Sequence, residues 1–297
     1  MIAVWMLTWK ELIRKKVTLM TLLLTVLFWI VFYFVTQSVG NSVSHTESGI
    51  ISLDQLIDRF RGSAILLWIG FFFATFATGF LAIFSSVGAV SGEAEHGVLQ
   101  SVLARPIPRT HWYLGRWFGF VTFCLAYAVL LFASILLLVA YATGVHPDWS
   151  AMGWGLVLFI IPVLLMVTLT MFASCWLAPL GNGVAMVLLF GMGWVGTMLD
   201  RVTAAGMFAS DETTKTSDTM EIVSGLIRLL IPTDALQQRM LSDLFQVKDL
   251  GESFSSRDSL GYFSIVNPPS DVFLYYTAIY FVVFLVGGML VIRRKDF

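Results

Sequence analysis

Val17–Thr36 runs for twenty residues, VTLMTLLLTVLFWIVFYFVT, without one charged side chain. An α-helix rises about 1.5 Å per residue, so a run of this length crosses a hydrocarbon core of about 30 Å. Inside that core the backbone has to satisfy its own hydrogen bonds, which leaves helix as the conformation for such a run. Five further runs follow: Ser63–Ser85, Phe118–Ala140, Trp154–Trp176, Val184–Leu199 and Val272–Ile292. The expected fold is therefore an all-α integral membrane protein with six transmembrane helices. Composition agrees, since only 12% of the 297 residues are charged, about half the share in soluble domains.

Residues 1–297 read as a single transmembrane domain. The fifth run is short and holds Gly191, Gly193 and Gly196, so it bends or continues through Val202–Ala209. Pro162 removes one helical hydrogen bond from the fourth run and predicts a kink there. LAPLGNG, residues 177–183, leaves room only for a tight hairpin. Cys124 and Cys175 fall inside apolar runs and read as small buried hydrophobes. The first run is too long for the apolar region of a signal peptide, and no clear small-x-small site follows it.

Six spans put both termini on one side. With them lie ten cations (Lys10, Arg14, Lys15, Lys16, Arg105, Arg109, Arg116, Arg293, Arg294 and Lys295) and four acids (Glu11, Glu93, Glu95 and Asp296), a net +6. The remaining eight Lys/Arg and fifteen Asp/Glu leave the other side at −7. The positive-inside rule assigns the cationic side to the cytoplasm. The expected setting is the plasma (inner) membrane of a prokaryote, multi-pass, with both termini cytoplasmic.

Residues 1–16 place Ile2, Trp5, Trp9, Leu12 and Ile13 at helical spacing, with Lys10, Arg14 and Lys15 elsewhere. This pattern predicts an amphipathic helix lying in the inner interface with its two Trp at headgroup depth. A simple basic flank to the first span is the other reading. Between the first two spans, Leu53, Leu56, Ile57 and Phe60 share a helical face, and Ser52 with Gln55 fits a capping box. Residues 200–271 form an external helical loop between spans five and six. There Met220, Val223, Ile227, Leu230, Leu236, Met240 and Leu244 form two amphipathic patterns broken at Pro232. They fit helices on the outer leaflet or a small external subdomain.

Ion-coupled carriers need ionisable groups near the bilayer midplane, and none of the six runs contains Asp, Glu, Lys, Arg or His. The same lack argues against an intramembrane hydrolase. No HExxH and no G-x-x-x-x-G-K-[ST] occurs, so the chain has neither that zinc motif nor that phosphate cradle. The loop 91–116 carries the remaining pattern. Val98, Leu99, Val102 and Leu103 can form one helical face after Gly97, and Pro106 and Pro108 stiffen the exit. Such a segment suits a partner's groove; alternatively Glu93, Glu95, Arg105 and Arg109 are a solvated loop face.

GEAEHGVLQSVLARPIPR resembles the E-x-E-x-G-T-(L)-x-x-(L)-L-x-x-P-(I/V)-x-R segment of ABC-2-type ABC transporter permeases. Glu93, Glu95, Gly97, Leu103, Pro106 and Arg109 stand at the matching positions, while Val98 replaces the usual Thr and Gln100 a frequent Glu. The resemblance extends over the N-terminal helix, the six spans, the long external loop and the basic C-terminal RRKDF. It is nearest the branch that includes the copper-processing permease of nitrous oxide reductase maturation, through LLIPTDALQQ, where Ile231 stands at an Asn position. The resemblance implies a permease subunit of an ATP-driven exporter, not itself an enzyme. It implies coupling to a separate ABC ATPase subunit through Glu93, Glu95, Gly97, Leu99, Leu103, Arg105, Pro106 and Arg109. ATP and magnesium would be bound by that ATPase, and no cofactor or metal by this chain. It further implies a second permease chain, in a homodimer or related heterodimer, with the substrate path at an interface built from spans two and five. The glycines of the fifth span fit close packing there. Without charges in the spans, the expected cargo is hydrophobic or amphiphilic, and nucleic acid is not an expected partner. The alternative function is a membrane scaffold or sensor that anchors a soluble ATPase or maturation factor without transport.

Overall fold

A computed structural model describes residues 2–44, 53–95, 108–144, 148–204, 214–244 and 269–294. Ten helices lie among the described residues: α1 (Ile2–Arg14), α2 (Lys16–Ser44), α3 (Leu53–Ser86), α4 (Ser91–Glu95), α5 (Arg109–Thr143), α6 (Trp149–Ala173), α7 (Pro179–Ala204), α8 (Thr214–Leu230), α9 (Thr233–Leu244) and α10 (Asp271–Arg294). Six of them, α2, α3, α5, α6, α7 and α10, are long and apolar enough to cross a membrane.

The helices extend past the uncharged runs. The amphipathic segment from Leu53 is continuous with the second span, because only Arg61 and Gly62 separate Phe60 from the apolar run and a single glycine does not stop a helix. α5 starts at Arg109, nine residues before the third run, which carries Arg116 inward on a helix face. α7 continues past Leu199 to Ala204. Pro162 sits inside α6 without ending it.

α3, α5 and α6 form the centre. Phe71 (α3), Phe132 (α5) and Phe159 (α6) meet there, with ring centroids 5.2–5.8 Å apart. α2 and α10 pack on the outside, and α2 shows Leu19, Leu23, Val26, Ile30 and Phe34 outward. A surface that is apolar on its outer face fits hydrocarbon rather than water. Cys124 and Cys175 are both buried and neither is in a disulfide.

α1 lies along α5. A Cβ on Gly119 would come within 2.6 Å of the Thr8 side chain, so the glycine is what lets the two helices approach. Trp5 and Trp9 each donate an indole N–H to Thr122 Oγ1, at 2.9 and 2.8 Å. The two Trp are therefore fastened to the third span, while Ile2, Met6, Leu7 and Ile13 form the outward apolar set.

Candidate functional site: a buried arginine under α4 and a plug at the other end

At the end of the bundle that carries α1 and α4, Arg116 is only 3% exposed. A guanidinium out of water is costly unless its donors are met by carboxylates in good geometry. Two segments supply them. Glu11 of α1 accepts from Nη1 at 2.5 Å, and Glu93 of α4 pairs with Nη2. Thr8 Oγ1 lies 3.4 Å from Nη1, and the guanidinium sits 5.5 Å from the centre of the Phe120 ring. Lys15 reaches the other oxygen of Glu11 at 3.0 Å. Two cations thus balance two carboxylates, and one side chain joins α1, α4 and the start of the third span.

Burial by itself would raise the Glu11 carboxyl, but the Arg116 guanidinium and the Lys15 ammonium outweigh it and hold it below the ordinary carboxylate value. A group with a depressed folded pKa contributes stability above its unfolded value and loses it as pH falls through the folded value. The ordinary value is 4.5. Melting of the purified chain should therefore be insensitive to Glu11 protonation above pH 4.5 and fall away below it. Glu11→Gln should remove part of that acid-side loss; coincident melting profiles for the two proteins from neutral to acid would sink this assignment.

α4 is also held from its other side. Ser174, in the turn between α6 and α7, accepts the backbone N–H groups of Val90 and Ser91, both at 3.1 Å. These are donors that the start of a helix leaves open. Asn182, in the first turn of α7, is fully buried and donates from Nδ2 to the carbonyls of Val87 (2.8 Å) and Thr170 (3.0 Å). The tight hairpin expected at 177–183 is instead a turn over 174–178, with 179–183 already in α7, and this corner is a seat for α4.

Of the residues expected to couple the chain to a partner, Glu93, Glu95 and Arg109 lie within the described residues. Gly97, Leu99, Leu103, Arg105 and Pro106 lie outside them. Glu93 faces inward to Arg116, Glu95 is exposed at the tip of α4, and Arg109 opens α5 after Pro108. Arg116 was legible only as one of ten basic-side charges. The signal that could have singled it out is a lone Arg between Gly115 and Trp117, just before an uncharged run.

At the opposite end α8 and α9 close over the bundle. α9 is inserted against α6, with Leu236, Met240 and Leu244 all buried. Arg239, also buried, donates to Asp243 (3.1 Å), to Asp271 at the start of α10 (2.7 Å) and to the Pro269 carbonyl (2.5 Å). Asp243 also accepts from the Trp154 indole at 3.1 Å, and Asp234 from Thr197 of α7. α8 ends at Leu230, two residues before Pro232, and its last carbonyls are taken by α10: Tyr276 donates to Leu229 O at 2.5 Å and Tyr280 to Leu230 O at 2.9 Å. Gly196 of α7 receives Ile227 of α8, where a Cβ would meet that side chain at 2.8 Å, and Gly193 faces Ile231. Two of the three glycines of the fifth span therefore serve contacts within this chain. Ile222, Leu226, Leu229 and Leu230 remain exposed.

Between the two ends, Trp68, Phe72, Phe76, Phe80 and Phe84 recur every fourth residue along α3. Successive rings lie 5.0–6.1 Å apart. Phe190 and Trp194 of α7 join this row, at 5.5 Å from Phe76 and 6.0 Å from Phe72. The row offers apolar area and ring faces through most of the bilayer depth, with no charge on it.

No curated protein matches the chain. The family described as ABC-2 family transporter protein matches residues 3–297. With six membrane-length helices and a match over nearly its whole length, the chain belongs to the ABC-2 transporter family, as a multi-pass membrane component.

Proposed function

We propose that this chain is the permease subunit of an ATP-driven ABC exporter for a hydrophobic or amphiphilic substrate. ATP and magnesium are held by a separate ABC ATPase subunit. The observation that carries the reading is the Arg116 node, which makes α1, α4 and the third span one mechanical unit at the cationic end. A partner that pushes on α4 moves the third span with it through the Arg116–Glu93 pair, and the α6–α7 corner through Ser174 and Asn182. In this scheme Glu93 is the internal link, and Glu95 with Arg109 faces the ATPase. The segment with Gly97, Leu99, Leu103, Arg105 and Pro106 supplies the apolar and basic remainder of the docking surface. The cationic end is cytoplasmic, by the +6 against −7 partition. α1 lies in the inner interface with Ile2, Met6, Leu7 and Ile13 toward lipid.

The uncharged aromatic row on α3 and α7 supports an apolar cargo. Val184, Leu188, Met192 and Val195 form an exposed stripe on α7, which we assign to the second permease chain. α8 and α9 then cap the exit of the path.

Glu95→Lys tests the coupling role without touching the folded unit, since Glu95 is exposed. Reversing a charge at a docking surface costs several kcal/mol when it meets a like charge. Co-purification with the ATPase and ATP hydrolysis should both drop about tenfold or more, while insertion and melting stay as in the parent. Unchanged co-purification and unchanged hydrolysis would return α4 to an ordinary solvated loop.

A further inference from the structure

A pocket of about 270 Å³ opens between the first three spans. Its walls come from Leu24 and Phe28 of α2, Phe73 and Ala77 of α3, and Tyr127 and Leu131 of α5, among others. An engineered apolar cavity of about 150 Å³ stays dry and takes up benzene, so this volume suits a longer hydrocarbon group. Thr25 stands nine residues above Lys16, which is about 14 Å along the helix and close to the midplane of a core about 30 Å thick. Leu24 and Phe73 at its margin are 61% and 52% exposed, so the pocket faces the acyl region of the bilayer.

Its polar groups are already satisfied within the chain. Thr21 donates to Val17 O at 2.9 Å, and Thr25 donates to Thr21 O at 2.7 Å. With its proton so used, Thr25 Oγ1 accepts from the Tyr127 hydroxyl 2.6 Å away. No donor is left asking for a ligand atom, and no charge lies on the walls. Phe28 stacks on Phe32 at 5.2 Å and meets Phe73 at 5.9 Å, closing one end with rings. Phe76 and Phe80 belong both to this pocket and to the aromatic row facing α7.

We propose that this pocket is a binding site for an alkyl chain, entered sideways from the bilayer and separate from the surface assigned to the second permease chain. The chain belongs to a membrane lipid or to an apolar cargo on its way to the aromatic row. The cargo case rests on the proposed transport function; the site itself does not.

The full chain, without ATPase, is placed in phosphatidylcholine vesicles with either of two photoreactive probes. One is a phospholipid with a mid-chain diazirine, and the other a free alkyl diazirine of about ten carbons. Labelled residues are mapped by mass spectrometry. The pocket residues of α2, α3 and α5 should be labelled above the outward-facing Leu137 and Ile279. Ala77→Phe, and independently Leu131→Trp, fill the space. Each should lower pocket labelling about tenfold, the worth of roughly two buried methylenes, and leave Leu137 and Ile279 unchanged as the sign of a folded protein. Labelling by both probes assigns the site to bilayer lipid, and labelling by the free alkane alone assigns it to cargo. Labelling no stronger than at Leu137, or unaffected in whichever filling variant folds, overturns the proposal. A disulfide-linked dimer formed through Leu24→Cys overturns it as well, by giving the pocket to a second copy. Because no ATPase is present, failure here leaves the coupling reading untouched.

Discussion

Arg116→Ala should be the most damaging single substitution at the cationic end. It removes the only guanidinium in the node and leaves Glu11 and Glu93 facing each other across the space it filled. Removing one partner of a buried ion pair costs about 3–5 kcal/mol. Glu11 is more than a third exposed, so water recovers part of its charge and the lower end of that range applies. The loss also reaches past Arg116, because α1 then keeps its packing on α5 at Gly119, Thr122 and Phe123 but loses its tie to α4. The expected result is a lower melting temperature, faster alkylation of a Thr8→Cys probe, and loss of ATPase co-purification even though Glu95 is intact. Arg116→Lys should recover only part, since an ammonium cannot reach both carboxylates with a fixed fork. A protein that melts and binds its partner as the parent does would show that the ion pairs contribute nothing to the unit.

At the other end the largest effect is expected from Arg239→Ala. Arg239 is 7% exposed and its donors meet Asp243, Asp271 and the Pro269 carbonyl. Hydrogen bonds to charged groups contribute about 1.5–3 kcal/mol each at most, and Asp271 is largely exposed, so roughly 2–3 kcal/mol in all is the expected loss. The consequence is local. α9 loses its tie to the start of α10, and Asp243 is left with Trp154 alone among its described partners here. Proteolysis or hydrogen exchange should rise across 233–244, with α3, α5 and α6 unchanged. Export should suffer while ATPase assembly stays intact. Asp271→Asn should give a smaller version of the same change. Protection of α9 equal to that of the parent in Arg239→Ala would refute the latch.

The six spans were legible because a run of about twenty uncharged apolar residues has one stable fate in a bilayer. Their ends were not, since helix continues through charged flanks that the hydropathy pattern excludes. That difference matters most at Arg109–Trp117, where nine extra helical residues turn a basic flank into a buried guanidinium. Its partners are Glu11, 105 residues away, and Glu93 on α4, and no local periodicity encodes such a meeting. The same holds for Ser174 under α4 and for Thr122 beneath two Trp. In the external segment the pattern placed Leu236, Met240 and Leu244 on a buried face, as found. It grouped Val223 and Leu230 with Ile227, whereas only Ile227 turns inward, onto Gly196. Which side of an amphipathic helix meets a glycine cannot be read without the neighbouring helix.

The central claim, that the α4 end is cytoplasmic and seats an ATPase, is tested most directly by site-specific photocross-linking. The full chain, carrying a benzophenone amino acid at position 95 or at position 149, is expressed with a candidate ABC ATPase subunit. Both sites are exposed in the native residues, Glu95 on α4 and Trp149 at the start of α6. Irradiation should give a product of permease plus ATPase mass from position 95 and none from position 149. No product from position 95, or a product from position 149, would contradict the account.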